Sequence, residues 1–180
     1  MLIDGDPGVA RNLILEFSEY DPENVLAGQE EIRRYNLQRY EMEQLTAVVY
    51  IDAERKIVAG YKDITPHEFW VRGHMPIMAL MPGVLMCECA AQLASFFASK
   101  YNLLGSRVVG FGGLEEVRFR DPVVPGDRLV VVVEMIKVRP GAMIVCRFQG
   151  FVRQSMVVEG KIKGIPLPIG DASLAPTVST

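Results

Sequence analysis

The stretch Met81-Pro82-Gly83-Val84-Leu85-Met86-Cys87-Glu88-Cys89-Ala90-Ala91-Gln92-Leu93-Ala94-Ser95-Phe96-Phe97-Ala98-Ser99 decides how the rest of the chain is read. These 19 residues carry a single charge, Glu88, among apolar and helix-forming side chains. A helix that is hydrophobic on nearly every side is buried in the middle of a domain or spans a membrane. The length alone permits a span. Pro82-Gly83 at one end, with Glu88 and Gln92 inside, argues against it, because intramembrane carboxylates are costly.

On both sides of this helix the pattern turns to β. Leu45–Asp52 and Lys56–Ile64 precede it, joined by the turn Asp52-Ala53-Glu54-Arg55. Four β-branched segments follow it: Arg107–Phe119, Arg128–Val138, Ala142–Arg153 and Met156–Ile165. Arg139-Pro140-Gly141 is a turn with a mechanism, since proline presets one dihedral and glycine supplies a positive φ. A short helix over Glu30–Asn36 has acidic residues at its start and arginines near its end. The economical architecture is α+β, an antiparallel sheet wrapped around one long central helix. Residues 1–27 read as an N-terminal extension with one helical turn, 28–165 as the domain, and 166–180 as a flexible C-terminal tail.

The chain has 180 residues, 49% hydrophobic and 23% charged, the balance of a single globular domain and not of a disordered chain. No period recurs, which excludes a repeat protein. A net charge of −3 argues against nucleic acid as a partner. The start has neither a basic cluster nor an apolar run, and the three cysteines cannot pair completely, so cytoplasmic, reduced, buried thiols are expected. Charge is unevenly spread. Residues 1–35 hold eight acidic and three basic side chains, whereas 117–165 hold nine basic and four acidic. The positive second half either steers an acidic partner or simply solvates the outer faces of strands.

Few residues here bear chemistry. There are two histidines, His67 and His74, and His74 stands just ahead of the buried helix in Gly73-His74-Met75-Pro76. Glu88, inside an apolar helix, loses hydration, which favours its protonated form and makes it a candidate proton donor; the alternative is a carboxylate facing solvent or paired with an arginine. A histidine base with a carboxylic acid is the division of labour an elimination requires. Gly83 opens the helix, where free N–H groups favour negative charge developing on a carbonyl oxygen. It also lets the chain turn after Pro82. Cys87, Glu88 and Cys89 are consecutive and diverge around a helix, so no metal site is expected. A cysteine nucleophile has no evident orienting partner. Gly110-Phe111-Gly112-Gly113 lacks the lysine and helix of a phosphate loop. Met75, Met78, Met81 and Met86 fill core gaps or line an apolar channel.

Taken together, Gly73-His74-Met75-Pro76-Ile77-Met78-Ala79-Leu80-Met81-Pro82-Gly83-Val84-Leu85, the acid Glu88 followed by Ala91-Gln92, and the block from Phe111 to Asp127 resemble the 3-hydroxyacyl-[acyl-carrier-protein] dehydratases, which have the hot-dog fold. Asn36-Leu37-Gln38-Arg39-Tyr40 is similar to a further, weakened motif, and the resemblance runs over about residues 29–165. It implies that His74 takes the C2 proton of a (3R)-hydroxyacyl thioester, Glu88 protonates the departing hydroxyl, and the Gly83 amide holds the thioester carbonyl, giving a trans-2-enoyl product. It further implies an acyl-contacting surface of Phe69, Trp70, Met75, Met81, Val84 and Gln92. No cofactor is implied. The partners implied are an acidic acyl carrier protein and further copies of the chain, as a dimer or a trimer of dimers, with histidine and acid facing each other from different subunits. Ile77, Ala79, Leu80 and Met75 depart from the family pattern. They leave room for a hot-dog thioesterase, a coenzyme A hydratase or a non-catalytic acyl-chain-binding subunit.

Overall fold

In the computed structural model, which describes residues 12–106 and 108–168, the apolar stretch becomes helix α2, Gly83–Lys100. It begins two residues after Met81 because Pro82 is extended, with φ −57° and ψ 130°, and caps the helix from outside. A six-stranded antiparallel sheet packs around it. The strands are β1 (Ala47–Asp52), β2 (Ile57–Asp63), β3 (Val109–Phe119), β4 (Arg128–Arg139), β5 (Met143–Val152) and β6 (Ser155–Pro166). Their order across the sheet is β1-β2-β4-β5-β6-β3. Helix α1 (Gln29–Tyr35) lies against α2 through the buried Ile32. The expected strand start at Arg107 lies outside the described residues, as does 169–180 of the expected tail. Among the described residues, no helix is long and apolar enough to cross a membrane.

Alternation in β4 shows how the core is divided. Leu129, Val131, Val133 and Met135 face α2, together with Val58, Ile144, Cys146 and Phe148. Val130 and Val132 face the other way, into a second buried cluster with Val49, Ala59, Tyr61 and Phe151. Segment 12–27 covers that outer face. Ile14 and Leu15 are buried on it, and Phe17, within the 3-10 turn Phe17–Glu19, packs edge-on against Phe151. The N-terminal segment also guards the sheet's first edge, since Ala27 and Val48 exchange backbone hydrogen bonds at 3.1 and 2.8 Å. With both faces of the central strands covered, a continuous valine run is what the pleat requires.

The helix sits close on the sheet. A methyl group at Gly60 in β2 would come within 2.7 Å of the Ala47 carbonyl and 3.0 Å of the Leu93 side chain. The turns follow the sequence reading. Arg55 N–H donates to Asp52 Oδ1 at 2.8 Å, and Gly141 takes φ +70° between β4 and β5. Residues 64–82, between β2 and α2, form neither strand nor helix. This long connection is held at its two ends: Ile64 N–H donates to Asp127 O at 2.9 Å, Gly126 N–H donates to Ile64 O at 2.8 Å, and Met81 N–H reaches Val123 O at 2.8 Å.

Candidate active site

His74 lies on that connection, half-buried beside the start of α2. Its backbone N–H donates to Trp70 O at 2.8 Å, and its carbonyl accepts from Leu80 N–H at 2.8 Å. The ring is fixed as well, with Nδ1 2.7 Å from Leu80 O. A carbonyl oxygen only accepts, so the neutral ring carries its hydrogen on Nδ1 and keeps a lone pair on Nε2. The loop tip between these anchors is closed by two reciprocal bonds of 3.0 Å between Met75 and Met78.

His74 borders a cleft of about 500 Å³, lined also by Leu80, Met81, Pro82, Gly83 and Val84, and by Met86 and Phe119–Pro122. The His74 ring and the first N–H groups of α2 therefore share one open space, and those N–H groups have no partner within the helix. Gly83 has a steric role too. A methyl group there would lie 2.8 Å from the Phe119 ring, so only glycine lets that ring stand over the helix start. Phe119, Arg120, Asp121 and Pro122, at the end of β3, are cleft residues that reading by sequence did not single out. They are distant from His74 in sequence, and only the antiparallel return of β3 brings them near.

Glu88 is elsewhere. It borders a narrow cavity of about 90 Å³ between α2 and strands β3, β5 and β6, with Gln38, Ala91, Ser95, Phe111 and Ile144. It stands five positions beyond Gly83, a rotation of roughly 140° about the helix, so one chain does not present both to one cleft. Nor is its carboxylate alone: Gln92 Nε2 donates to Glu88 Oε1 at 2.8 Å. The same nitrogen donates to Met42 O at 2.7 Å, Gln92 Oε1 accepts from Gln44 N–H at 2.9 Å, and Asn36 Nδ2 donates to Gln92 O at 2.9 Å. Gln92 is thus fully engaged inside the chain and fixes the Glu88 side chain from behind. Asn36, quoted above only as part of a motif, braces that network.

Of the expected acyl-contacting residues, Met81 and Val84 border the cleft with His74. Phe69 and Met75 are exposed outside it, and Trp70 is buried in the main core. Ile77, which departs from the family pattern, is 97% exposed and takes no part in lining the cleft. The three thiols are all free and buried. Burial pushes Cys87 up to about 11 and Cys89 and Cys146 up to about 12, so near neutrality they are protonated and poor nucleophiles. Among the described residues, no group of three His, Cys, Asp or Glu side chains gathers as a metal site would require.

Comparison with known proteins bears on the family and the fold. The family model of the FabA-like domain matches residues 36–161, well over half the chain. The chain is 32% identical to the 3-hydroxyacyl-[acyl-carrier-protein] dehydratase FabZ of Clostridium kluyveri, over 75% of this chain and 92% of that protein. It is 39% identical to the FabZ of Clostridium tetani, over 59% and 74% of the two chains. Among solved structures, the dehydratase heterocomplex ApeI:P from Xenorhabdus doucetiae aligns with TM-score 0.62 at 14% identity, covering 79% of this chain and 93% of that one. Cj0977 of Campylobacter jejuni aligns with TM-score 0.55, also at 14% identity, covering 82% and 97%. The last two likenesses speak for the hot-dog fold alone, whereas the first three reach further: the chain belongs to the FabA-like 3-hydroxyacyl-[acyl-carrier-protein] dehydratase family and is a hydro-lyase.

Proposed function

We propose that residues 28–165 dehydrate a (3R)-hydroxyacyl thioester, presented on acyl carrier protein, to the trans-2-enoyl thioester. The observation that carries this reading is the His74 ring, with Nδ1–H held by Leu80 O and Nε2 left basic, beside the unpaired N–H groups that begin α2. Nε2 removes a proton from C2. The electron pair of that C–H bond forms the C2–C3 double bond while the C3–O bond breaks, and the hydroxyl leaves as water after accepting a proton from Glu88. Negative charge that gathers on the thioester oxygen is met by Gly83 N–H and the helix dipole.

Glu88 reaches this cleft from a second copy of the chain. Along α2, Val84, Glu88, Ala91 and Ser95 form a stripe spaced four, three and four residues apart that the chain's own sheet leaves at least partly open. β3, which lines the same side, is a sheet edge with Phe111, Leu114 and Phe119 exposed. An apolar edge of this kind invites pairing with another strand. Covering both with a symmetry-related copy places each Glu88 toward the neighbouring cleft. The carrier protein, being acidic, suits the border of the cleft at Arg120, whose guanidinium also meets Glu159. A cytoplasmic setting accords with the reduced thiols.

Incubating the protein with a 3-hydroxyacyl carrier protein should give the enoyl thioester, seen by mass and by its ultraviolet absorbance. Release of free thiol instead identifies a thioesterase. No turnover, or unchanged turnover after His74→Ala, rejects the reading.

A further inference from the structure

One charged pair has no part in the chemistry above. Lys62, on β2, points to the helix side of the sheet, since it alternates with Tyr61 on the outer face and follows Gly60 beneath Leu93. Its ammonium meets Glu68 Oε2 at 3.1 Å, and the two side chains are 8% and 11% exposed. Glu68 belongs to the connection that carries His74. Its other oxygen accepts from Thr65 N–H and Thr65 Oγ1, both at 3.3 Å, and its carbonyl accepts from Val71 N–H at 3.0 Å. Trp70 O, two residues on, takes both Gly73 N–H at 3.0 Å and His74 N–H at 2.8 Å.

A desolvated ion pair is a poor source of stability, because well-packed apolar residues in its place are often as stable or more so. What such a pair supplies is direction: a bond between two particular atoms, where apolar packing would accept several registers. The connection it holds spans residues 64–82 without regular structure, a length that is uncommon unless the loop is functional. We propose that the Lys62–Glu68 pair is the positioning device for the catalytic base, fixing the register of the connection so that the His74 ring meets Leu80 O. This rests on the dehydratase reading for its consequence, and on geometry alone for its mechanism. Misplacing a base by ~1 Å costs about 100-fold in rate, so small slips of this loop suffice.

The test uses the full chain with Lys62→Met and Glu68→Leu combined, a replacement that leaves no stranded charge. Only two histidines are present, so an imidazole Nδ1–H resonance protected by Leu80 O is assignable to His74 by NMR. The expected result is a melting temperature near that of the unaltered protein, loss of the protected resonance, and kcat lowered by about 10- to 100-fold with KM changed by less than about twofold. Lys62→Arg, which keeps the cation, should keep both the resonance and kcat. Retention of the resonance and of kcat in the double variant overturns the proposal. Should the double variant fail to fold, Glu68→Gln, which keeps shape and the Thr65 bonds, is read by the same resonance. Absence of turnover in the unaltered protein rejects the dehydratase reading, while the resonance still decides whether the pair positions the ring.

Discussion

Two features of the cleft rest on single residues, an imidazole with a settled tautomer and a helix start with nothing over it but an aromatic ring. Of the candidates His74, Gly83 and Glu88, the first two border one cleft, a closeness legible from their places in the short connection that leads into α2. Leu80 O, which fixes the ring, was not legible, since a backbone carbonyl leaves no mark on the sequence. Gly83→Ala puts a methyl group 2.8 Å from Phe119, whose exposed ring can swing aside. Alanine's better helix propensity, ~1 kcal/mol, offsets part of that strain. We expect melting within about 5 °C of the unaltered protein and kcat/KM reduced about 10-fold through the displaced ring; equal kcat/KM in the variant shows that the seat of Phe119 on Gly83 does not bear on turnover. The thiols give a second prediction. Their folded values are raised from 9.0 to about 11 and 12, so the folded state keeps protons that the unfolded chain releases. Their contribution to stability is therefore complete below pH 9 and is lost as pH rises through 11 to 12. Native protein should resist a thiol reagent at pH 8 until urea unfolds it; rapid labelling of folded protein contradicts the burial.

At the scale of elements, α2 and the strands were read with boundaries a few residues off. The composition of each segment allowed only one partner, the helix for the sheet and the sheet for the helix. Helix α2 starts later than its apolar stretch because Pro82 cannot continue a helix backward. The bulges of β3, at Phe111/Gly113 and Glu115/Arg118, were not legible, since they answer to pairing with β6 and not to local propensity. The outward-facing Val130 and Val132 of β4 are buried because segment 12–27 lies on them. Leu93 is fully buried where α2 approaches Gly60. Leu93→Ala should lower stability by about 2–5 kcal/mol in urea unfolding. A loss below about 1 kcal/mol shows that the helix is not seated as described.

For the whole molecule, the uneven charge along the chain is largely matched in space. Glu19, Glu23 and Glu31 pair with Arg55, Arg128 and Lys100. In the basic half, Arg120, Arg147, Lys161 and Lys163 have acidic partners of their own. Exposed pairs of this kind contribute little each, so the N-terminal segment is held chiefly by Ile14, Leu15 and Phe17. Removing residues 1–24 should uncover the outer sheet face and produce dye binding and aggregation; a monodisperse product with unchanged melting contradicts that role. The family resemblance implies that His74 and Glu88 face each other from different copies, and within one chain they border separate cavities. Their meeting across two copies is the claim on which the mechanism depends, and subunit complementation tests it directly. His74→Ala and Glu88→Gln should each be inactive alone. Refolded together in equal amounts, they should recover about a quarter of the unaltered activity, since half of a random mixture of dimers holds one intact site of two. A mixture as inactive as its parents contradicts the account.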